Sequence, residues 1–380
     1  MKVLNIHWGF GVGGVSTYCA LLQGIVDFQP IENRSICIIT DGAHCDDKGL
    51  KTLNADTIPL SGRFDLSWVR ALVAVAHNEC PDVVMTHGFN GYFAEWVVGW
   101  FTNRPSRIVS SFHGFYYPAT PLRKVLAPVI NRFIRWYLAS RVDAVVSVSE
   151  FSKAKLVASG IPAEKVTVIH NGIDSTVATG AVRDTVRERL RSEWSVSAEE
   201  VLVGVACRFD EIKGLSYLLE AFRDLAQACP QLKLVMIGSG PMEAKLKQFV
   251  INEKLSDKVV FTGFRSDIAS CLEAIDIYAL PSLIENHSIA LLEAMRASKA
   301  IIASDAGGNT ESVRHEEEAL VVPVSDSEAI KAVLLRLLNE TGLCRRLGAA
   351  AQARFKERFT QEAMSKRTAD WLVNIGSDKR

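Results

Sequence analysis

At 380 residues the chain is longer than one ordinary domain, so two domains are expected. Hydrophobic residues make up 48% and charged residues 23%, the mix of a globular protein and not of a disordered or fibrous one. Lysine plus arginine and aspartate plus glutamate number 43 each, and this balance argues against a general nucleic-acid binder.

The eight cysteines are scattered and form no Cys-x-x-Cys pair, a pattern of reduced thiols rather than of a disulfide or zinc framework. No run of about 18 apolar residues occurs, so no spanning helix is expected. The first residues enter a strand-like run without a signal peptide, which points to the cytoplasm.

In chain order, short apolar runs at 3–7, 35–40, 83–87, 108–113, 144–149 and 166–170 alternate with helical patterns near 15–27, 66–79, 92–101, 122–140 and 150–159. Such alternation predicts right-handed βαβ units on a parallel sheet. Asn171-Gly172-Ile173-Asp174 is a turn signal, and the charged stretch 175–200 reads as a connection. A second series follows. Its strands are expected at 202–206, 233–237, 259–262, 276–280, 300–303 and 320–323, and its helices near 215–228, 242–254, 267–274, 288–298 and 326–339. Two charged helices, about 342–357 and 361–375, finish the chain. The expected fold is α/β with two doubly wound domains: 1–174 joined by a last helix at about 360–380, a linker at 175–200, and 201–359. A ligand cleft between them is the natural expectation.

The residues able to carry chemistry fall at predicted strand ends. Glu285 lies in the loop after 276–280, and Glu293 lies one to two turns into the next helix. That helix starts near Ser288 and Ile289, where unpaired N–H groups and the helix dipole favour an anion. Two carboxylates beside an anion site suit a phosphate joined to hydroxyl-rich groups, as in a nucleotide sugar. Arg208 ends the first strand of the second series and Lys213 begins the following helix, so together they could clamp a diphosphate. Gly238-Ser239-Gly240-Pro241 is a glycine turn at a strand end, and Phe264 could stack on a base or belong to the core. His87-Gly88 and His113-Gly114 repeat one strand-end placement, and His113 is favoured for a ligand role. Gly9, Gly11 and Gly14 satisfy Gly-x-Gly-x-x-Gly formally. Asp41, however, lies 27 residues past Gly14, so an NAD site is a poor match. A glycine loop approaching a phosphate fits better.

Taken together these motifs resemble the retaining glycosyltransferases of family 4, with the GT-B fold of two Rossmann-like domains. The matching features are Gly13-Gly14, His113-Gly114, Asn171-Gly172-Ile173-Asp174, Arg208 with Lys213-Gly214, Gly238-x-Gly240-Pro241, Glu285-x7-Glu293 and Gly307-Gly308-x-x-Glu311. The resemblance implies catalytic roles for His113, Arg208, Lys213 and Glu285. Arg208 and Lys213 would hold the donor diphosphate, so that no metal or other cofactor is needed. Glu285 would take sugar hydroxyls, Glu293 the ribose hydroxyls, and His113 the donor sugar. Gly13, Gly14, Gly238, Gly240, Phe264, Asn286, His287, Ser288 and Ile289 would complete the donor site. It further implies transfer with retention from a UDP-sugar, ahead of a GDP-sugar, to a hydroxyl acceptor in bacterial surface polysaccharide, lipopolysaccharide or glycolipid assembly. Where the family often has Glu-Gly-Phe-Gly, this chain has Glu285-Asn286-His287-Ser288, which changes the side chains around the sugar.

Residues 101–155 hold nine lysines and arginines against Asp143 and Glu150. The helix within it, 122–141, mixes Arg132 and Arg135 with Val125, Val129, Phe133 and Trp136, a pattern that fits an ordinary packed helix and equally suits peripheral contact with the inner membrane. Three other readings of the same residues are a sugar-nucleotide epimerase or hydrolase, a non-enzymatic nucleotide-sugar binder, and an NAD enzyme.

Overall fold

The computed structural model describes residues 1–8, 14–40, 55–61, 65–102, 106–115, 121–177 and 179–377. The chain divides into two compact units: Met1–Gly172 with Gln361–Arg380, and Ile173–Thr360.

The first unit is built on β1 (Lys2–Trp8), β2 (Glu32–Thr40), β3 (Ala55–Leu60), β4 (Val83–His87), β5 (Arg107–Phe112), β6 (Ala144–Ser147) and β7 (Val166–Val168). All pair in parallel, in the order β3-β2-β1-β4-β5-β6-β7. Parallel strands are covered on both faces, which is why β1 and β4 are buried along almost their whole length, polar Asn5, His7, Thr86 and His87 included. Alternation along β1 sends Leu4 and Ile6 to one layer with Ile36, Trp68 and Ala94. Val3 goes to the other layer, with Tyr18, Leu22 and Met85. That second layer is completed by Met364, Ala369 and Leu372 of the last helix, Gln361–Ser377, whose Asp370 accepts from Gln29 Nε2 at 2.7 Å.

The second unit carries β8 (Val201–Ala206), β9 (Leu232–Ile237), β10 (Val259–Gly263), β11 (Ile277–Leu280), β12 (Ala300–Ser304) and β13 (Leu320–Val322). They too run in parallel, in the order β10-β9-β8-β11-β12-β13. Val203, Val205, Phe222, Leu234, Ile302, Leu334 and Leu347 form part of one core on this sheet. In both sheets the strand order reverses beside the first strand of the series, between β1 and β4 and between β8 and β11. Loops leaving the carboxyl ends at such a reversal diverge and open a crevice.

Two elements differ from the sequence reading. β3 was not anticipated, because its residues 55–60 interrupt Ile58 and Leu60 with Asp56, Thr57 and Pro59. It is an edge strand with Asp56 and Thr57 exposed, where proline and charge are tolerated. The stretch 175–200 is also more than a connection. It contains the helix Gly180–Glu193, which belongs to the second unit. Its polar sequence conceals a packing role carried by arginines. Arg187 Nη2 reaches Asp276 Oδ1 at 2.6 Å, and buried Arg191 donates to Asp276 Oδ2 at 3.1 Å and to the Ala274 carbonyl. Asp276 also accepts from the Leu202 backbone N–H at 2.8 Å.

Removing that shared acceptor leaves a buried guanidinium without its counter-ion. Asp276→Ala should therefore lower the thermal midpoint of the second unit by roughly 5–10 °C, whereas Arg189→Ala, on the exposed side of the same helix, should change it by no more than about 2 °C. Differential scanning calorimetry reads both, and equal midpoints for the two variants would contradict this role for Asp276.

Candidate functional site

The reversal between β8 and β11 gathers four segments of the second unit. After β8 the chain passes Arg208 and makes the single turn Glu211–Lys213. Gly214 follows in the left-handed region, φ +62°. A Cβ there would collide with the Pro281 carbonyl, so only glycine lets the two backbones touch. The Leu283 N–H donates to the Ile212 carbonyl at 2.7 Å and locks the turn onto the loop after β11. On the other side of that loop the Gly308 N–H donates to the Glu285 carbonyl at 3.0 Å, and a Cβ on Gly308 would strike the Asn286 carbonyl. Ser304 Oγ donates to the carbonyls of Leu280 and Ser282.

These clamps bring Lys213 Nζ to 2.6 Å from Glu285 Oε1, and buried Ser282 Oγ donates to the same oxygen at 2.8 Å. Burial works to lower the Lys213 pKa. The charge and hydrogen bond of Glu285 outweigh it, and the net shift is upward. The ammonium therefore stays charged through the neutral range. Arg208 is 63% exposed at its side chain and pairs with Asp210 at 3.2 Å, so it can swing to an incoming anion at little cost.

Ser288 caps the helix Ile289–Arg296, its Oγ accepting from the Leu291 N–H at 3.3 Å, and the first-turn N–H groups, from Ile289 on, point out of this end. One turn further, burial raises the Glu293 carboxyl to about 7, against the smaller opposing charge of Arg296. His287 is buried in the same loop, with Nε2 3.2 Å from Ser312 Oγ and its ring 5.5 Å from that of Phe359.

Lys213, Glu285, Asn286, His287, Ser288 and Ile289 thus form one cluster, which also holds Ser282, Gly214 and Gly308. Ser282 was not singled out from the sequence, where a serine after a strand-ending proline carries no distinguishing signal. Gly238 and Gly240 lie after β9, and a Cβ on either would run into the backbone of 207–209. The Phe209 N–H donates to the Ser239 carbonyl at 2.9 Å, so these glycines seat the Arg208 segment. Phe264 is 56% exposed, which excludes the core alternative.

In the first unit Gly13 lies outside the described residues, as does Asp41, and Gly14 opens the helix Gly14–Leu21. His113 follows β5, with Nε2 3.0 Å from Ser111 Oγ and the edge of Tyr18 against its ring. Burial lowers its pKa to about 4 and that of His7 to about 3. Among the described residues His7, Cys19 and His87 come close enough to be considered for a metal. The His7 and His87 rings are stacked, with centroids 4.6 Å apart and planes within 9° of parallel. Their nitrogen lone pairs therefore lie in near-parallel planes and do not converge, so the arrangement does not suit a shared ion.

Residues 186–354 match the family described as Glycosyl transferases group 1, and residues 40–177 match Glycosyltransferase Family 4. The amylovoran biosynthesis glycosyltransferase AmsK of Erwinia amylovora is 30% identical over 246 residues, covering 63% of this chain and 58% of that protein. The N-acetyl-alpha-D-glucosaminyl L-malate synthase of Bacillus anthracis is 25% identical over 79% of this chain and 76% of its own. Among solved structures, Anabaena HepE in complex with UDP-glucose superposes with a TM-score of 0.81 at 21% identity, covering 98% of this chain and 100% of that one. The two matched regions, with the GT-B architecture of the units, show that the chain belongs to the family 4, group 1 glycosyltransferases.

Proposed function

We propose that the chain is a retaining glycosyltransferase that moves a sugar from a nucleoside-diphosphate donor, UDP ahead of GDP, to a hydroxyl of a surface-polysaccharide, lipopolysaccharide or glycolipid acceptor. The observation that carries the reading is the Lys213–Glu285 pair, largely shielded from water, at the β8/β11 reversal. A desolvated ion pair costs much of what it gains, so its retention at a crevice favours use over stability. The acceptor class is supported by the amylovoran enzyme among the relatives, and the base by the UDP-glucose bound to HepE.

In this reading the donor diphosphate displaces Glu285 as the partner of Lys213, and Arg208 turns from Asp210 to join it. The bond from the anomeric carbon to the phosphate oxygen breaks and the diphosphate takes the electron pair. The acceptor hydroxyl adds on the same face and passes its proton to the departing phosphate oxygen. Lys213, already held in place, and Arg208, which joins it, meet the charge that develops on the leaving group, so that charge does not require a metal. Glu285, released, faces the sugar hydroxyls, Glu293 takes the ribose hydroxyls, and His113 meets the sugar.

The first unit adds a surface. No carboxylate occurs in sequence from 96 to 142, and the helix Pro121–Ser140 exposes Val125, Val129, Arg132, Arg135 and Trp136. Val129 is 66% exposed, and nearby in sequence Trp100 is 74% exposed. Trp96, in the helix Gly88–Val98, packs edge-on against Trp136 of Pro121–Ser140 and against Trp100. Aromatics and arginines without carboxylates are what an anionic lipid surface selects. We read this face as peripheral contact with the cytoplasmic side of the inner membrane.

Lys213→Ala should lower kcat by roughly 100- to 1000-fold while the fold persists. Turnover at the wild-type rate, measured as UDP release with acceptor present, would remove the assignment. The pH dependence follows from Glu293. Its carboxyl is partly protonated near neutrality, and hydroxyl donors favour the ionised form and pull its pKa down. UDP affinity should accordingly fall by up to about tenfold per pH unit below about pH 7, with a proton released on binding in that range, and Glu293→Gln should flatten the curve. Calorimetric titration across that range tests this, and a flat wild-type profile would contradict it. On vesicles containing anionic lipid, the double change Arg132→Glu and Arg135→Glu should weaken co-sedimentation by at least about tenfold. Wild-type protein that stays in the supernatant even at low salt would eliminate the membrane contact.

A further inference from the structure

The loop after β11 holds Glu285 by more than its pairing with Lys213. Ser304, the last residue of β12, donates from Oγ to the Ser282 carbonyl and lies 3.3 Å from the Leu280 carbonyl. Asn309 Nδ2 donates to the Ser304 carbonyl at 3.1 Å and fixes that residue in turn. Ser282, Ser304 and Asn309 are all buried. On either side the Leu283 N–H is tied to Ile212 and the Glu285 carbonyl to Gly308. The backbone at Ser282 is therefore clamped to the strand ends around it. Its hydroxyl proton is committed to Glu285 Oε1, 2.8 Å away.

Lys213 Nζ approaches the same oxygen at 2.6 Å. Among the described residues both donors converge on Oε1, and none reaches Oε2. The two donors differ in reach. An ammonium on a flexible four-carbon stem can turn to a new anion. A serine hydroxyl hangs from a single side-chain carbon, and here that carbon sits on a clamped backbone. When Lys213 turns to a diphosphate, one contact on Oε1 goes and the other stays.

We propose that Ser282 is a positioning residue: it keeps Oε1 of Glu285 in place while Lys213 changes partner, so that Oε2 accepts from a hydroxyl of the donor sugar. The inference rests on the reading of Glu285 as a sugar contact, and it uses residues of the second unit alone. One carboxylate oxygen is thereby given to the protein and the other to the substrate. A sugar hydroxyl satisfies Oε2 by donating to it, whereas a donor lacking that hydroxyl leaves the oxygen desolvated and unpaired.

Two measurements test this, and the first needs no substrate. Lys213→Ala removes the ammonium permanently. A crystal structure of that variant should still show Glu285 Oε1 within hydrogen-bond distance of Ser282 Oγ, and a carboxylate turned away from Ser282 overturns the proposal. The second is kinetic. Ser282→Ala leaves Glu285 its bond to Lys213, so it should bind UDP as the wild type does. It should lower kcat/KM by about tenfold, the value of one lost hydrogen bond, for the UDP-hexose that the wild type turns over fastest. In a Glu285→Ala background the same change should cost less than about twofold. A serine that only supports the fold would weaken UDP binding and sugar transfer together, in either background. That result, or undiminished transfer by Ser282→Ala, overturns the proposal even when the wild type is a glycosyltransferase. If the wild type turns over no nucleotide sugar while Lys213→Ala keeps the Ser282–Glu285 contact, the anchor stands and the assignment of Oε2 to a sugar falls with the proposed function.

Discussion

The site of the second unit depends on backbone touching backbone. Gly214 lies directly against Pro281 and Gly308 against Asn286, and neither contact survives a side chain. Between these two clamps the loop after β11 has no freedom to retreat, and Glu285 is presented to Lys213 at 2.6 Å. An opposite-charge pair at that distance, largely removed from water, is held by geometry imposed from outside it. In the proposed function, a resting pair that neutralises itself holds the cation in place until a stronger anion replaces its partner. Preorganisation of this kind lets a developing charge be met without moving the surroundings.

The two units use one topology for different chemistry. Each sheet reverses its strand order beside its first strand, and each reversal collects polar side chains at carboxyl ends. In the second unit those side chains are charged and only partly shielded, as suits a diphosphate. In the first they are two asparagines, a serine and neutral histidines wired by direct hydrogen bonds, with Asn5, His87 and Ser111 buried. A neutral, directional network can discriminate hydroxyls without paying the desolvation penalty of an ion.

Much of this was legible in the residues themselves. Unbroken apolar runs such as 201–206 and 277–280 announce parallel strands, and glycine or proline at their ends marks where each loop begins. Glu285 and Glu293 could be placed because a helix start lies between them. What stayed hidden has physical causes. β3 is an edge strand whose exposed Asp56 and Thr57 break the apolar signal. The helix Gly180–Glu193 packs through Arg187 and Arg191, which look solvated in sequence. Gly238 and Gly240 read as a glycine turn, and what required their missing Cβ atoms, the passage of 207–209 beside them, was not visible in sequence. The partners of Ser282 and Ser111 lie about 3 and 24 positions away, respectively, and no local pattern encodes the latter.

The account turns on Lys213 exchanging a carboxylate for a diphosphate. The most direct measurement is a crystal structure of the protein with a UDP-hexose bound. The account predicts the diphosphate within hydrogen-bond reach of Lys213 Nζ, with Glu285 released toward the sugar. A bound nucleotide sugar that leaves the Lys213–Glu285 pair intact, its phosphates held elsewhere, would contradict it.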